Sequence, residues 1–146
     1  MNKLLVTLSL IFTLFLTGCG LISPEKKIYL SEEKIQVLSS LETKQEIIEK
    51  LGKPSTEITN PEKLTKRITA SKSLLTDQKK EALNSSDPTA IENLEEVIAN
   101  ADLLLGRLSN HEKVECLIYY RKTNSGDKME KDVYIYDNSL QFTISQ

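Results

Sequence analysis

The stretch VECLIYYRK, residues 114–122, marks the point at which the periodicity of this sequence changes. Val114, Cys116 and Ile118 alternate with residues such as Glu115, and this two-residue period is typical of a β-strand. Upstream of this stretch the apolar residues recur at spacings of three and four, as they do in amphipathic helices. Helices are therefore expected before it and strands from it onward, so the sequence predicts an α+β fold.

Two more strands are expected downstream, at residues 132–136 and 140–145. Residues that favour turns separate the three strands, at positions 123–127 and 137–139. Strands joined by such short connections pair with their sequence neighbours, so the C-terminal third is predicted to form a three-stranded antiparallel β-meander.

Two long helices are expected upstream of the strands. Asn60 and Pro61 can serve as N-cap and first helical residue, and Asp87 with Pro88 repeats this arrangement. The second of these helices carries an apolar seam at spacings of three and four: Ile91, Leu94, Ile98, Ala101, Leu105 and Leu108. Residues 61–109 are therefore predicted to form an antiparallel helical hairpin.

A shorter helix has both of its ends encoded in the sequence. Thr43 can cap its start, Glu46 lies where a capping box requires it, and Gly52 is a typical C-terminal stop. The segment 56–59 is expected to be a short strand, and the segment 31–38 a short helix or turn.

These elements predict two layers, in which the short helix and the long helical hairpin pack on the β-meander within a single domain, residues 31–146. One sheet face is expected to collect Val114, Cys116, Ile118, Val133, Ile135, Leu140, Phe142 and Ile144. The other face is expected to carry Leu117, Tyr119, Tyr134 and Tyr136. Two interpretations stay open: the hairpin partly covers this second face, or the face is an exposed surface for a partner, because tyrosine combines apolar area with a polar hydroxyl.

The N-terminus has the features of a signal peptide. Lys3 precedes an apolar run of 14 residues, which is shorter than the roughly 20 residues of a membrane-spanning helix. The run ends at residues 16–19, Leu-Thr-Gly-Cys, which resemble a bacterial lipobox. This resemblance implies that residues 1–18 are removed, that Cys19 receives acyl chains such as palmitate, and that residues 19–30 form a lipidated tether to the membrane.

The residue after the cysteine bears on location. The resemblance implies a place in the cell envelope. In a bacterium with two membranes it implies the periplasmic face of the outer membrane, because Gly20 is not the aspartate that retains such lipoproteins at the inner membrane. The alternative interpretation of the N-terminus is a retained membrane helix with a chance cysteine.

Composition and residue types argue against several functional classes. The full chain has a formal charge of −2, and removing the signal peptide with its one lysine leaves −3, which is not the basic footprint of a nucleic-acid-binding protein. Cys116 is the only other cysteine, and its strand context predicts a buried free thiol. The single histidine, His111, has no local set of metal ligands, and the glycines do not form a phosphate-binding loop. The sequence therefore predicts a protein without a catalytic site, a metal or a cofactor.

Several short motifs resemble the SmpA/OmlA family of small outer-membrane lipoproteins, which includes the BamE-like component of the β-barrel assembly machinery. The motifs are residues 43–48, residues 51–54 and the C-terminal β-hairpin, and the resemblance covers residues 39–58 and 113–146. It implies helices on a three-stranded antiparallel sheet, and residues 61–109 would then be a helical-hairpin insertion.

Three functions are compatible with this sequence. The first is a non-catalytic, membrane-anchored envelope lipoprotein that scaffolds or supports a protein complex, such as that for outer-membrane protein assembly. The second is an inhibitor or exclusion module that binds an envelope enzyme or receptor. The third is binding of a lipid or small ligand, which would require an apolar cavity between the hairpin and the sheet.

Overall fold

The structure is a computed structural model, and it describes residues 27, 29–123 and 125–146. The predicted signal peptide, the predicted lipid attachment site Cys19 and most of the predicted tether lie outside the described residues.

The α+β fold class is confirmed. The helices are α1 (Glu32–Val37), α2 (Lys44–Leu51), α3 (Pro61–Ser85) and α4 (Pro88–Ser109), and a 3₁₀ turn, Leu38–Ser40, follows α1. The strands are β1 (Tyr29–Leu30), β2 (Thr56–Ile58), β3 (Val114–Lys122), β4 (Lys128–Tyr136) and β5 (Ser139–Ser145). The long helices α3 and α4 form the predicted hairpin.

The helix ends follow from local hydrogen bonds. The Thr43 side chain accepts from the Glu46 backbone N–H, and the Glu46 carboxylate accepts from the Thr43 backbone N–H, which completes the predicted capping box of α2. Gly52 ends α2 with a φ of 87°, a conformation that glycine adopts without steric strain. Asn60 and Asp87 cap α3 and α4 as expected.

The sheet contains the predicted meander and two further strands. β3, β4 and β5 pair antiparallel in sequence order. The free edge of β3 is shared, because β2 pairs antiparallel with one half of it and β1 pairs parallel with the other half. Tyr29 and Leu30, which were predicted to lie in the tether, therefore belong to the folded domain.

The strand register corrects the predicted division of side chains between the faces. Cys116 pairs with Tyr134, and Leu117 pairs with Val133. Because directly opposed residues of antiparallel strands lie on the same face, Val133 lies on the side of Leu117 and not on that of Val114. The prediction was wrong here because the register of two strands depends on the geometry of the connecting turn, and a shift of one residue exchanges the faces.

A β-bulge makes a second correction. The pairing of β4 with β5 shifts between Tyr134, which opposes Phe142, and Ile135, which opposes Leu140. One extra residue on β5 therefore places Leu140 on the opposite face from Phe142 and Ile144.

Helices cover both faces of the sheet, so the domain has three layers and not the two that were predicted. The α3–α4 hairpin packs on the face that carries Cys116 and Tyr134, and the other buried members of this core are Leu64, Ile68, Leu75, Ala101, Leu104, Leu108, Val114, Ile118, Phe142 and Ile144. Helices α1 and α2 pack on the face that carries Leu117 and Val133, with a second core of Leu30, Leu38, Leu41, Ile47, Leu51, Tyr119 and Ile135. The hairpin thus covers the face of Val114, Cys116 and Ile118, and not the face of Leu117 and Tyr119 that one of the two interpretations assigned to it.

A buried polar network fixes α3 to the sheet. Asp132 is fully buried, and its two carboxylate oxygens accept hydrogen bonds from the Arg67 guanidinium at 2.5 and 2.7 Å. Tyr134 donates to the same carboxylate at 3.2 Å, and the Gln146 amide donates to it at 2.9 Å. Burying these charges is tolerable because each of them has partners.

The apolar seam of α4 is mainly structural. Leu94, Ile98 and Leu105 are half-buried and pack against the hairpin-side core. Towards the hairpin tip, Lys79 and Glu95 join the two helices to each other at 2.6 Å, and Leu83 is 54% exposed.

Within the described ranges, no helix combines the length and the apolar character that crossing a bilayer requires.

Candidate interaction site around Tyr136

The four residues predicted to form an interaction surface do not lie together. Leu117 and Tyr119 are buried under α1 and α2, whereas Tyr134 is buried under the hairpin. Only Tyr136 is partly exposed, at the end of β4. The hypothesis of a shared tyrosine-rich surface is therefore wrong, because the strand register divides these residues between two covered faces.

The two buried tyrosines use their hydroxyls within the domain. Tyr119 donates to the backbone carbonyl of Gly52 at 3.0 Å. Tyr134 hydrogen-bonds to Ser71 at 3.1 Å, and its ring stacks on Phe142 with the centroids 4.5 Å apart. Burial is the main reason why the pKa values of both phenols are raised, that of Tyr119 to about 12.

Tyr136 is the centre of a small cluster of contacts between β4 and the end of α4. The Arg107 guanidinium lies 3.8 Å from the centroid of the Tyr136 ring, in cation–π contact. The Glu112 carboxylate accepts a hydrogen bond from the Tyr136 hydroxyl and pairs with Arg107 at 2.9 Å. The hydrogen bonds from Tyr136 and Arg107 lower the pKa of Glu112, and the bond to Glu112 raises the pKa of Tyr136.

Two tight turns bring this cluster together. Asp137 and Asn138 have φ values of 50° and 61°, as the central residues of a two-residue β-hairpin turn require. His111, in the connection between α4 and β3, has a φ of 62°. The Asn138 carbonyl accepts from the Lys44 backbone N–H at 3.0 Å, so the start of α2 is fixed to the turn that follows Tyr136.

One side of Tyr136 borders a depression of about 490 Å³, which we call the polar cleft. It is lined by Lys44, Glu112, Lys113, Glu115, Tyr136, Asp137 and Asn138. Lys44 pairs with both Glu115 and Glu57, and Lys113 pairs with Glu115 at 3.0 Å. Burial acts to raise the pKa of Glu115, but the hydrogen bonds from Lys44 and other neighbours outweigh it and hold this pKa at about 2.

The other side borders a more open groove of about 640 Å³ along α4, which we call the α4 groove. It is lined by Ala99, Asp102, Leu103, Gly106, Arg107, Asn110 and Glu112. Leu103 is 61% exposed, the highest value among the exposed large apolar side chains of the described residues. Arg107 and Glu112 line the α4 groove beside Tyr136, so the two depressions meet at this cluster.

Cys116 and His111 are the two side chains discussed above as a free thiol and as a residue without local metal ligands. Cys116 is fully buried in the hairpin-side core, and burial, with a contribution from Asp132, raises the pKa of its thiol to about 12. His111 is exposed in the connection between α4 and β3. Within the part of the chain that the structure describes, no three His, Cys, Asp or Glu side chains are grouped as metal ligands.

Sequence reasoning did not identify Leu103, Arg107 or Glu112 as part of a site. Arg107 has the appearance of a solvated residue in the last helical turn, and Leu103 lies two positions from each of the neighbouring seam residues, Ala101 and Leu105. The one signal of this site in the sequence was that Leu103 does not fit the apolar seam of α4.

Comparisons of this chain with protein families, with curated proteins and with solved structures find no match. The resemblance to the SmpA/OmlA family thus stays a prediction from short motifs.

Proposed function

We propose that this protein is a lipid-anchored, non-catalytic protein of the cell envelope, and that it binds a protein partner at the site around Tyr136. The observation that supports this proposal is the stacked pair of Arg107 and Tyr136, which lies between the polar cleft and the α4 groove beside the exposed Leu103.

The combination of side chains favours a protein as the ligand. Tyrosine and arginine are the residue types most often found at the energetic centre of protein interfaces, and an exposed leucine supplies apolar area next to them. Arg107 and Tyr136 already hold each other in place, so little side-chain entropy is lost when a partner covers them. A partner segment with an apolar side chain for the α4 groove and charged groups for the polar cleft fits this site.

The sequence supports the anchor and suggests a first partner to test. The lipobox-like residues 16–19 support acylation of Cys19, and tethering raises the local concentration of a protein that binds its partner weakly. The resemblance to the SmpA/OmlA family directs attention to the β-barrel assembly machinery at the periplasmic face of the outer membrane.

Cross-linking in cells tests the site. A photo-cross-linking amino acid at position 103 is expected to form an adduct with a partner, and one at position 83 is not. The two leucines are matched, because both are exposed residues of the same hairpin, 61% and 54%, and Leu83 lies near its tip. A charge at the site should prevent binding, so Leu103→Asp is expected to weaken the complex at least tenfold, and Leu83→Asp to leave it unchanged.

The identity of the adduct separates the possible functions. Adducts with barrel-assembly proteins would support the scaffolding role, whereas a tight complex with one enzyme or receptor would favour an inhibitor. Adducts at position 83 without any at position 103 would place the site at the hairpin tip and contradict this proposal. No protein adduct at either position would leave lipid or small-ligand binding as the alternative.

A further inference from the structure

The end of the sheet opposite to Tyr136 carries a second cluster of side chains, which we call the basic patch: Lys27, Tyr29, Tyr120, Lys122 and Lys128. The rings of Tyr29 and Tyr120 lie 6.1 Å apart. Each ring has an ammonium group nearby, with the nitrogen of Lys27 4.1 Å from the centroid of Tyr120 and that of Lys122 5.3 Å from the centroid of Tyr29. Lysine and tyrosine are thus interleaved on one surface.

The acidic residues nearby do not neutralise this patch. Glu130 pairs with Arg67 at 2.5 Å, and Glu32 pairs with Arg121 at 2.8 Å. Among the described residues the three lysines of the patch make no ion pair, and two carboxylates oppose them: Asp127 in the adjoining turn, and Glu130, which shares the single charge of Arg67 with Asp132. The patch is therefore locally positive although the chain as a whole has a formal charge of −2.

The position of the patch in the chain relates it to the membrane. Tyr29 follows the predicted acylation site Cys19 by only 10 residues, which span at most about 35 Å when fully extended. This end of the sheet is therefore within about 35 Å of the bilayer surface if Cys19 is acylated. Tyr136 lies 8 residues from Lys128 along β4, so the interaction site is roughly 27 Å from the basic patch.

We propose that the basic patch docks the domain on a bilayer surface that contains anionic phospholipids. Tyrosine rings favour the region of the lipid headgroups, and lysines there attract anionic lipid. The acyl chains hold the protein at the membrane, and the patch sets its orientation, with the site around Tyr136 pointing away from the bilayer. This inference rests on the proposed acylation of Cys19, but not on the partner site.

Spin-label quenching on vesicles tests this orientation. The mature, acylated protein is reconstituted into vesicles of phosphatidylcholine with or without phosphatidylglycerol, with a nitroxide on a fraction of the headgroups. A fluorophore is attached through Ser125→Cys, in the turn between Lys122 and Lys128, or through Ser109→Cys at the opposite end. Cys116 is fully buried and should not react, so each variant has one labelling site.

We expect strong quenching at position 125 and weak quenching at position 109 in vesicles that contain phosphatidylglycerol. The difference should diminish at high salt, because salt screens exposed charges. Replacing Lys122 and Lys128 by glutamine should lower the ratio of docked to undocked protein roughly 30-fold, since each lysine near an anionic surface contributes about fivefold. The control variant Lys79→Gln/Lys80→Gln changes the net charge equally, towards the hairpin tip and away from the patch, and should leave quenching unchanged.

Equal quenching at positions 125 and 109, or quenching at position 125 that does not depend on phosphatidylglycerol or on salt, would overturn the inference. Intact-mass measurement of the same preparation reports whether Cys19 is acylated. A missing acyl group would contradict the proposed anchor, whereas an acylated protein that fails to dock would contradict only the orientation proposed here.

Discussion

Glu115 is the residue whose ionisation should have the clearest effect on stability. Its side chain is only 12% exposed and pairs with Lys44 and Lys113, and its pKa is held at about 2, compared with 4.5 for a free carboxyl group. A carboxylate with a lowered pKa stabilises the folded state above pH 4.5, and this stabilisation is lost as the pH falls towards 2. Its upper limit is about 3 kcal/mol at 1.36 kcal/mol per pKa unit.

Glu115→Gln should therefore be less stable than the parent protein at pH 7, and the difference should shrink as the pH falls from 4.5 towards 2. Urea unfolding followed by circular dichroism at a series of pH values measures this. Glu62→Gln serves as the control, because Glu62 is 79% exposed in its ion pair with Lys66 and should contribute almost nothing at any pH. Parallel pH profiles for the parent and Glu115→Gln would contradict the assigned role of this ion pair.

At the level of elements, helix α2 depends on its capping box. Thr43 accepts a hydrogen bond from the Glu46 backbone, and the same segment contacts the turn after β4 through Lys44 and Asn138. Thr43→Ala should lower the free energy of unfolding by about 1 kcal/mol, because one backbone N–H loses its partner. Thr43→Ser keeps the hydroxyl oxygen and should be close to the parent protein. Equal losses for both variants in urea unfolding would show that the Thr43 methyl group, and not the cap, is what matters.

The elements themselves were readable from the sequence because their signals are local. The cap at Thr43, the stop at Gly52 and the Asp87–Pro88 helix start each depend on neighbouring residues only, and each is found where it was predicted. The register of β3 with β4 and the bulge opposite Ile135 depend on long-range pairing, so the assignment of side chains to faces failed there. β1 has only 2 residues and no periodicity of its own, and it could not be recognised as a strand.

The candidate site was missed for a related reason. Arg107 and Tyr136 are far apart in sequence, and they meet only because β4 returns beside β3 to the end of α4. Tyr136 was predicted to be an interaction residue because of its residue type. It belongs to the candidate site for a different reason, which is its position between two depressions. Residue chemistry could thus be read from the sequence, whereas the grouping of those residues required the fold.

On the scale of the whole molecule, the sheet separates the two surfaces for which we propose different roles. The end of the sheet with Lys122 and Lys128 carries the basic patch, and the end with Tyr136 carries the site proposed for a protein partner. β3 and β4 are the rigid connection between them, because each is paired along its whole length and covered by helices on both faces. A small domain arranged in this way can present a partner site at a fixed distance from a membrane.

The same arrangement predicts that the domain unfolds as one unit although it has two cores. Ile47 belongs to the core under α1 and α2, Ile68 belongs to the core under the hairpin, and both are fully buried. Ile→Val at either position should lower the free energy of unfolding by about 0.5–1.5 kcal/mol. Because the sheet lies between the two sites, the losses should add within about 0.5 kcal/mol in the double variant.

Unfolding in urea, followed by circular dichroism and by tyrosine fluorescence, should give coincident transitions for the parent, both single variants and the double variant. Leu83→Ala, at the exposed tip of the hairpin, should stay within about 0.5 kcal/mol of the parent. If the Ile68→Val transition separated into two steps, the hairpin would unfold independently of the sheet. The two cores of the domain would then be separate folding units. In that case β3 and β4 would not hold the two ends of the molecule at a fixed distance.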